Sequence, residues 1–420
     1  MLASVGTRGS GAGGGRMTRR FLPLDGVRVI DLTTSYAGPI ASMHLGDLGA
    51  DVIKIERPGG GDDCRTWGPP FVDGVSAWFA SANRNKRSLT LDVRADAGRA
   101  ALDRLLATAQ AMLVNVSPPK LARLRLTPDE VLAAHPRLVY CSLTGFGVDG
   151  PDSGLLGYDL IAQARSGLMS VTGELGGAPQ RPSTALTDIV AAYVCALSIV
   201  AALRDVERTG RGVALDVSLL DVALNLMAPR IASYLAGEPE PRPSGATDSV
   251  LSIYRPFRAA DRTIVIAIGN DAIWRRFCAA IERPDLGQDP RFGTNELRRN
   301  ARSELTAVIE AVIAQRVAAE WLERFEGADV PSAAVQFLSE VVADPQVKAR
   351  RSILVGDGGE QRLASIETPW RVIGGHRRAD GPVPEAGQHG EQILREVGLS
   401  DDDLAALRAC GAFADGRPPR

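Results

Sequence analysis

Between Val27 and Thr144 short apolar runs alternate with segments of helical spacing. Val27 to Leu32, Asp51 to Ile55, Ser88 to Asp92, Ala111 to Asn115 and Leu138 to Thr144 read as strands, while Ile40 to Leu48 and Ala97 to Ala109 read as helices. This order predicts a doubly wound α/β domain with a parallel sheet. Its ligand-facing loop is Thr33 to Pro39, at the carboxyl end of the first strand. Later, Val213 to Val217 reads as a further strand and Ser218 opens a helix that Pro229 kinks.

The most distinctive apolar stretch begins at residue 182. Small residues from Pro182 to Thr187 lead to Asp188, and no charge follows from Ile189 to Leu203. Apolar residues fall on every face of that run, and it is shorter than the ~18 apolar residues of a membrane span, so the pattern predicts a fully buried core helix. Asp188 at its head has two readings. Acids are common helix caps, and an acid on a rigid support is also a reactive group; in either role the helix dipole is expected to keep it ionised.

Composition shifts to Pro, Glu and Gly near residues 237–245, which marks a linker. Beyond it, Tyr254 to Phe257 and Thr263 to Ile268 read as strands, with helices over Ala272 to Ile281, Ser303 to Arg316 and Ala318 to Phe325. A strand around Thr368 to Ile373 and a helix from Gly390 to Val397 end the pattern. The division is therefore 1–21, a disordered Gly-, Ser- and Arg-rich extension; 22–210, the first part of a large domain; 211–243, a linker helix region; 244–330, a small domain; and 331–420, a linker and return to the large domain. A transit peptide is the alternative for 1–21, but its glycine clusters oppose an amphipathic helix.

The length of 420 residues favours more than one domain, and a net charge of −2 with 45% hydrophobic residues leaves no electrostatic footprint for nucleic acid or a membrane surface. A small-molecule partner is expected. The five cysteines lack metal or CxxC spacing and read as reduced cytoplasmic thiols, and the four histidines lack metal-ligand spacing, so no metal is expected. The Thr33 to Pro39 loop contains no GxGxxG, which argues against a nicotinamide oxidoreductase. Arg57, Asn115 and Arg123 stand at or beyond strand ends, where an arginine clamps phosphate or is simply solvated. Asp159 opens a helix after Gly154 to Gly157 and is a cap or a functional acid.

The ordered stretches Pro23 to Val29, Ala37-Gly38-Pro39, Leu48 to Gly59, Asn85-Lys86-Arg87-Ser88, Asp289-Pro290-Arg291-Phe292 and Asp344-Pro345-Gln346-Val347 resemble the class III CoA-transferases, the CaiB/BaiF family, from Pro23 to about Cys410. The resemblance implies a Rossmann-like large domain built from both chain ends, a small inserted α+β domain, and an obligate homodimer of interlocked rings. It matches Asp188 to the catalytic nucleophile and places CoA contacts at Tyr36, Ala37, Arg57, Leu91, Arg94, Asn115, Arg123 and Tyr158. Asp159 matches an acidic substrate-site position. CoA is then a substrate, and no separate cofactor is implied.

Two departures bear on substrate. Tyr36 replaces the glutamine of formyl-CoA transferase, and that enzyme's glycine run is missing, with Gly245 nearby. The stretch Gly61 to Phe71 is similar to the branch of the family that uses succinyl-CoA and glutarate, which makes Arg65 the candidate partner for a second substrate carboxylate; the alternative is a surface pair with Asp62 or Asp63. An α-methylacyl-CoA racemase shares the implied fold, but its Gly-His-Asp base is here Gly157-Tyr158-Asp159, and a tyrosine is a poor base at neutral pH. A CoA-binding protein without turnover would have no need for Asp188.

Overall fold

The computed structural model describes residues 21–355, 363–373 and 381–414. The expected 1–21 extension lies outside them except for Phe21, whose ring meets Trp370 edge-on at 5.9 Å.

Six parallel strands form the main sheet. They are β1 (Arg28–Leu32), β2 (Asp51–Glu56), β3 (Lys86–Thr90), β4 (Ala111–Val114), β5 (Val139–Thr144) and β6 (Val213–Ser218), in the spatial order β3-β2-β1-β4-β5-β6. The strand order reverses between β1 and β4, and ligand crevices of doubly wound sheets open at that switch point, beyond the carboxyl ends. Both faces are covered, which is why β4 is apolar at every position. Alternation sends Val29, Val52, Leu113 and Cys141 to one core, with α1 (Ala37–Asp47). It sends Ile30, Ile53, Met112 and Tyr140 to the other, with α3 (Asp96–Leu106); α2 (Ala77–Asn83) lies between β2 and β3 in the chain.

The chain end returns to this second core. Helices Gly390–Glu396 and Asp401–Ala409 contribute Ile393, Leu394, Leu404 and Leu407 to it, and Arg87 pairs with Glu396 at 2.9 Å. Residues 253–330 have a core of their own around Phe257, Trp274, Phe277, Trp321 and Phe325, beside a three-stranded antiparallel sheet.

Several expectations need correction. The strand read at Val213 to Val217 is present and is the edge strand of the main sheet, so the boundary drawn at 210 falls just before a sheet strand. The helix after Ser218 breaks at Met227, two residues before Pro229, because proline fits the first turn of a new helix better than the middle of an old one. The first helix starts at Ala37, not Ile40, with Pro39 tolerated in its opening turn. Near the C-terminus the strand is Ala364–Ile366 and not Thr368 to Ile373.

Candidate active site

The residues that follow β3, β2, β1 and β4 lie along one edge of the sheet. They are Leu91 and Arg94, Arg57, Tyr36 and Ala37, and Asn115, in that spatial order. Parallel strands about 4.8 Å apart make this edge a row of neighbouring positions on which an extended ligand can lie. Across the switch point, Asn115 Oδ1 accepts the Thr34 N–H at 3.1 Å and its Nδ2 donates to the Thr34 carbonyl at 2.8 Å. Asn115 therefore shapes the loop after β1 with one bond from each end of its amide.

That loop is tied to buried charges which sequence reasoning missed. Asp31 Oδ1 accepts the Thr33 N–H at 2.9 Å, Lys54 Nζ donates to the Thr33 carbonyl at 2.8 Å, and Asp62 Oδ1 accepts the Ser35 N–H at 2.9 Å. Lys86 Nζ donates to the Pro39 carbonyl at 2.8 Å. Lys54 pairs with Asp62 at 2.8 Å and Lys86 with Asp31 at 3.1 Å, all four side chains shut away from water. Burial alone would raise the Asp31 carboxyl, but Lys86 and Lys54 override it and hold it at about 2. Burial pushes Lys86 the other way, down to about 8. Ser35 takes a left-handed backbone, φ 70°, which its bond to Asp62 holds in place. The available signal was a lysine inside the apolar run Val52-Ile53-Lys54-Ile55, in a chain whose other cations are nearly all arginines.

This rigid loop delivers Tyr36 and Ala37. Tyr36 is the N-cap position of α1 and Ala37 its first residue. The Tyr36 hydroxyl lies 3.1 Å from Ser81 Oγ, and burial raises it, with Cys64 and the charge of Asp188 adding to the rise. Its ring meets Trp78 at 5.0 Å, and Trp78 meets Trp67 at 6.0 Å, so an aromatic wall borders the loop.

Asp188 comes from α5 (Leu186–Thr209), a 24-residue helix. Ala191, Ala192, Cys195 and Ile199 form its fully buried stripe, and Asp188 continues that stripe by one turn, so its side chain points inward. The helix is not fully buried, contrary to expectation: Leu197 is 72% exposed, and Tyr193 and Val194 share that outer side. By length and composition alone α5 is apolar enough to cross a membrane, yet a large share of it is packed inside this protein. Asp188 is not the cap either. The N-cap position is Ala185, which has no capping side chain, and Asp188 stands in the first turn.

The cap is supplied by another element. Asp159 opens α4 (Asp159–Arg165), and its Oδ1 accepts the N–H of Thr187 at 2.7 Å and of Asp188 at 3.3 Å. Its Oδ2 accepts from Gln163 Nε2 at 2.6 Å. The two turns that bring Asp159 there cross at glycines: a Cβ on Gly145 would stand 2.5 Å from the Gly157 Cα. With α5 capped by Asp159, the Asp188 carboxyl has no hydrogen-bond partner among the described residues. Burial and the neighbouring Asp159 charge push it up to about 7, so the expectation of a fully ionised Asp188 is overturned.

The arginines separate by burial. Arg57 pairs with Asp63 at 2.5 Å and Arg94 with Asp92 at 2.8 Å, both largely in water, where such pairs hold weakly and can yield to phosphate. Arg123 is exposed on the last turn of the helix Pro118–Leu124. Tyr158 is 60% exposed at the head of α4, and Leu91 is buried against the chain end, bridging Phe413. Arg65 is different. Its Nε and Nη2 donate to Glu56 Oε2 and Oε1, each at 2.7 Å, and its guanidinium lies 3.8 Å from the centre of the Phe79 ring. The surface-pair reading of Arg65 is overturned: it is paired with a buried glutamate and not with Asp62 or Asp63. Burial would raise Glu56, but Arg65 and Lys54 hold it at about 2.

The sheet, the rigid loop at its switch point and the desolvated carboxyl beside that loop make a doubly wound α/β fold with its candidate site at the strand ends. A CaiB/BaiF family protein from Brucella suis superposes with a TM-score of 0.79 at 35% identity, over 90% of this chain and 100% of that one. The chain belongs to CoA-transferase family III, whose model matches residues 24–390. The succinyl-CoA:glutarate CoA-transferase of Mus musculus is 37% identical over 396 residues, 94% of this chain and 90% of that protein. The succinate–glutarate CoA-transferase of Agrobacterium fabrum is 36% identical over 389 residues, 91% of this chain and 97% of that protein.

Proposed function

We propose that the protein moves CoA from an acyl-CoA, succinyl-CoA or a close relative, to a free dicarboxylate such as glutarate, with Asp188 as the nucleophile. The observation that carries this is the Asp188 carboxyl: held on a rigid helix, free of hydrogen bonds among the described residues and partly desolvated. Water normally blunts a carboxylate by solvating it, and a raised pKa marks a more basic and more nucleophilic one. Two succinate–glutarate enzymes among the relatives support the choice of substrates.

In the proposed sequence an Asp188 oxygen attacks the thioester carbonyl, the C–S bond breaks, and CoA leaves as thiolate. The thiolate attacks the Asp188 carbonyl of the resulting mixed anhydride, which releases the donor carboxylate and leaves an aspartyl-CoA thioester. The acceptor carboxylate then attacks that thioester, and the returning thiolate takes the acceptor acyl group and regenerates Asp188. No electrons are gained or lost, so the scheme calls for no redox partner. Arg57, Arg94 and Arg123 are assigned to the phosphates of CoA, Tyr36, Ala37 and Leu91 to its remaining contacts along the sheet edge, and Tyr158 to the mouth of the site. Asn115 shapes the loop that receives it.

We also infer a homodimer with interlocked chains. Its support is the family resemblance together with large exposed apolar side chains, Leu197 at 72%, Leu235 at 78% and Leu338 at 83%. Incubation of the purified protein with succinyl-CoA and a panel of mono- and dicarboxylates, with products read by mass spectrometry, tests the reaction. Glutaryl-CoA formation is expected; transfer to monocarboxylates alone would overturn the dicarboxylate assignment.

A further inference from the structure

We propose that Asp159 is a positioning residue for Asp188, capping α5 from the neighbouring helix and setting a fixed negative charge beside the Asp188 carboxyl. This rests on Asp188 being the nucleophile. It replaces the expectation that Asp159 contacts substrate.

The geometry assigns the role. A helix of 24 residues begins at Leu186, after an N-cap residue, Ala185, that has no capping side chain. The first-turn N–H groups of such a helix need acceptors. An acid in the first turn can normally fold back to serve them, which would turn the Asp188 carboxyl away from a substrate. Asp159 removes that option by taking the N–H groups of Thr187 and Asp188 with one oxygen, at 2.7 and 3.3 Å. Its other oxygen is held by Gln163 at 2.6 Å, and the whole side chain is only 8% exposed. Both Asp159 oxygens are therefore engaged within the protein, while Asp188 has no competing bond among the described residues.

The same arrangement sets two acids side by side, Asp159 buried and Asp188 partly so. Charged and titratable groups also stand on the other elements packed against α5. On α1 and the loop before it stand Tyr36, His44 and Asp47; His44 stacks on Tyr193 at 4.5 Å, further along α5, and Asp47 is held by Arg84 at 2.6 Å. On β5 stands Cys141, opposite Cys195. On β6 Asp216 takes the Val148 N–H at 3.0 Å, and on α6 (Leu219–Leu226) Asp221 bonds Ser218 at 2.6 Å. Of the charges around Asp188, that of Asp159 is the one that raises it, after burial itself. Two carboxylates sharing a site resist ionising together, so the second holds its proton to higher pH. The consequence is a nucleophile that becomes active as pH rises through the neutral range.

Asp159→Asn tests this with little change of shape. The amide oxygen can still accept both helix N–H groups, and Gln163, whose Oε1 has no partner among the described residues, can turn its amide to accept from the new NH2. The expected result is a downward shift of about one pH unit in the acidic limb of kcat/KM. The ratio of variant to wild-type rate is then up to about tenfold higher at pH 5.5 than at pH 8.5. Asp159→Ala, which removes the cap as well, is expected to lose about thirtyfold or more in kcat with little change in KM for the acyl-CoA. An unmoved limb in Asp159→Asn overturns the proposal, and so does a rise in KM for the acceptor acid with the limb unmoved, which would return Asp159 to substrate contact. If Asp159→Asn does not fold, Asp159→Ser keeps an uncharged acceptor and is judged by the same limb. Titration of the Asp188 carboxyl by 13C NMR, assigned against Asp188→Ala, reads the shift without any turnover. A shift seen by NMR alongside undiminished transfer by Asp188→Ala would sink the nucleophile assignment and leave the electrostatic one standing.

Discussion

Asp159 Oδ1 accepts the backbone N–H of Asp188 at 3.3 Å, so the two acids of the site meet through a main-chain bond and not through their side chains. One carboxylate is spent on structure, and the other is left exposed to its charge without a partner to relieve it. The consequences for Asp188 differ from those for a capping residue.

Asp188→Ala and Asp188→Asn are expected to lose about a thousandfold or more in transfer while keeping the fold. Since the Asp188 side chain is not the helix cap, neither change removes a bond that holds α5. Calorimetry of the two variants beside the parent checks this. A melting temperature lowered by many degrees, with normal specific activity in the folded fraction, would show that Asp188 is structural.

Stability should also depend on Asp188 through pH. Its folded pKa of about 7 lies above the ordinary 3.8, so the folded state holds a proton that the unfolded state has released between these values. The unfolded chain binds fewer protons there, and the contribution of Asp188 to stability falls as pH rises from about 4 to 7. Asp188→Asn should therefore be no more stable than the parent at pH 4 and more stable by about 1 to 2 kcal/mol at pH 8, less than the full linkage value because some water reaches the carboxyl. Urea unfolding at both pH values measures it, and an equal difference at the two would contradict the raised pKa.

Arg65→Ala should act on the fold and not on acceptor choice. It leaves Glu56 buried without its bidentate partner, and breaking a buried pair costs about 3 to 5 kcal/mol. Arg65 keeps some contact with water, so the lower end applies. Glu56 itself is held at about 2, below the ordinary 4.5, so its contribution is present above pH 4.5 and is lost as pH falls towards 2. Transfer to mono- and dicarboxylates should fall together in this variant; selective loss with dicarboxylates would restore Arg65 as a specificity residue.

Gly157→Ala should be among the more damaging single-methyl changes in the chain. The new Cβ would overlap the Gly145 backbone, and neither turn can yield without moving Asp159. A loss of about 1 to 3 kcal/mol in stability is expected, with kcat reduced more than KM for the acyl-CoA. Unaltered kcat in a folded variant would show that the crossing does not position Asp159.

Sedimentation should show a species of twice the 44.5 kDa chain, with no folded monomer at nanomolar concentration. Interlocked chains separate only by unfolding, so dilution at neutral pH should leave the dimer intact. A reversible monomer would rule out the interlocked arrangement.

The alternation of apolar runs from Val27 to Thr144 was sufficient to announce a parallel α/β sheet, because strands covered on both faces must be apolar at nearly every position. Asp188 stood out for a related reason: an acid heading a long uncharged run is a local pattern. What only the tertiary structure decided was which groups meet. Asp159 and Asp188 are brought together by a glycine crossing and two separate helices, Arg65 is claimed by a glutamate on β2, and Lys54 and Lys86 fasten a loop from neighbouring strands. These partnerships join positions far apart in the chain, and burial rather than residue type sets their strength. The charge state of Asp188 follows from them, since both desolvation and a neighbouring charge depend on packing that no local pattern records.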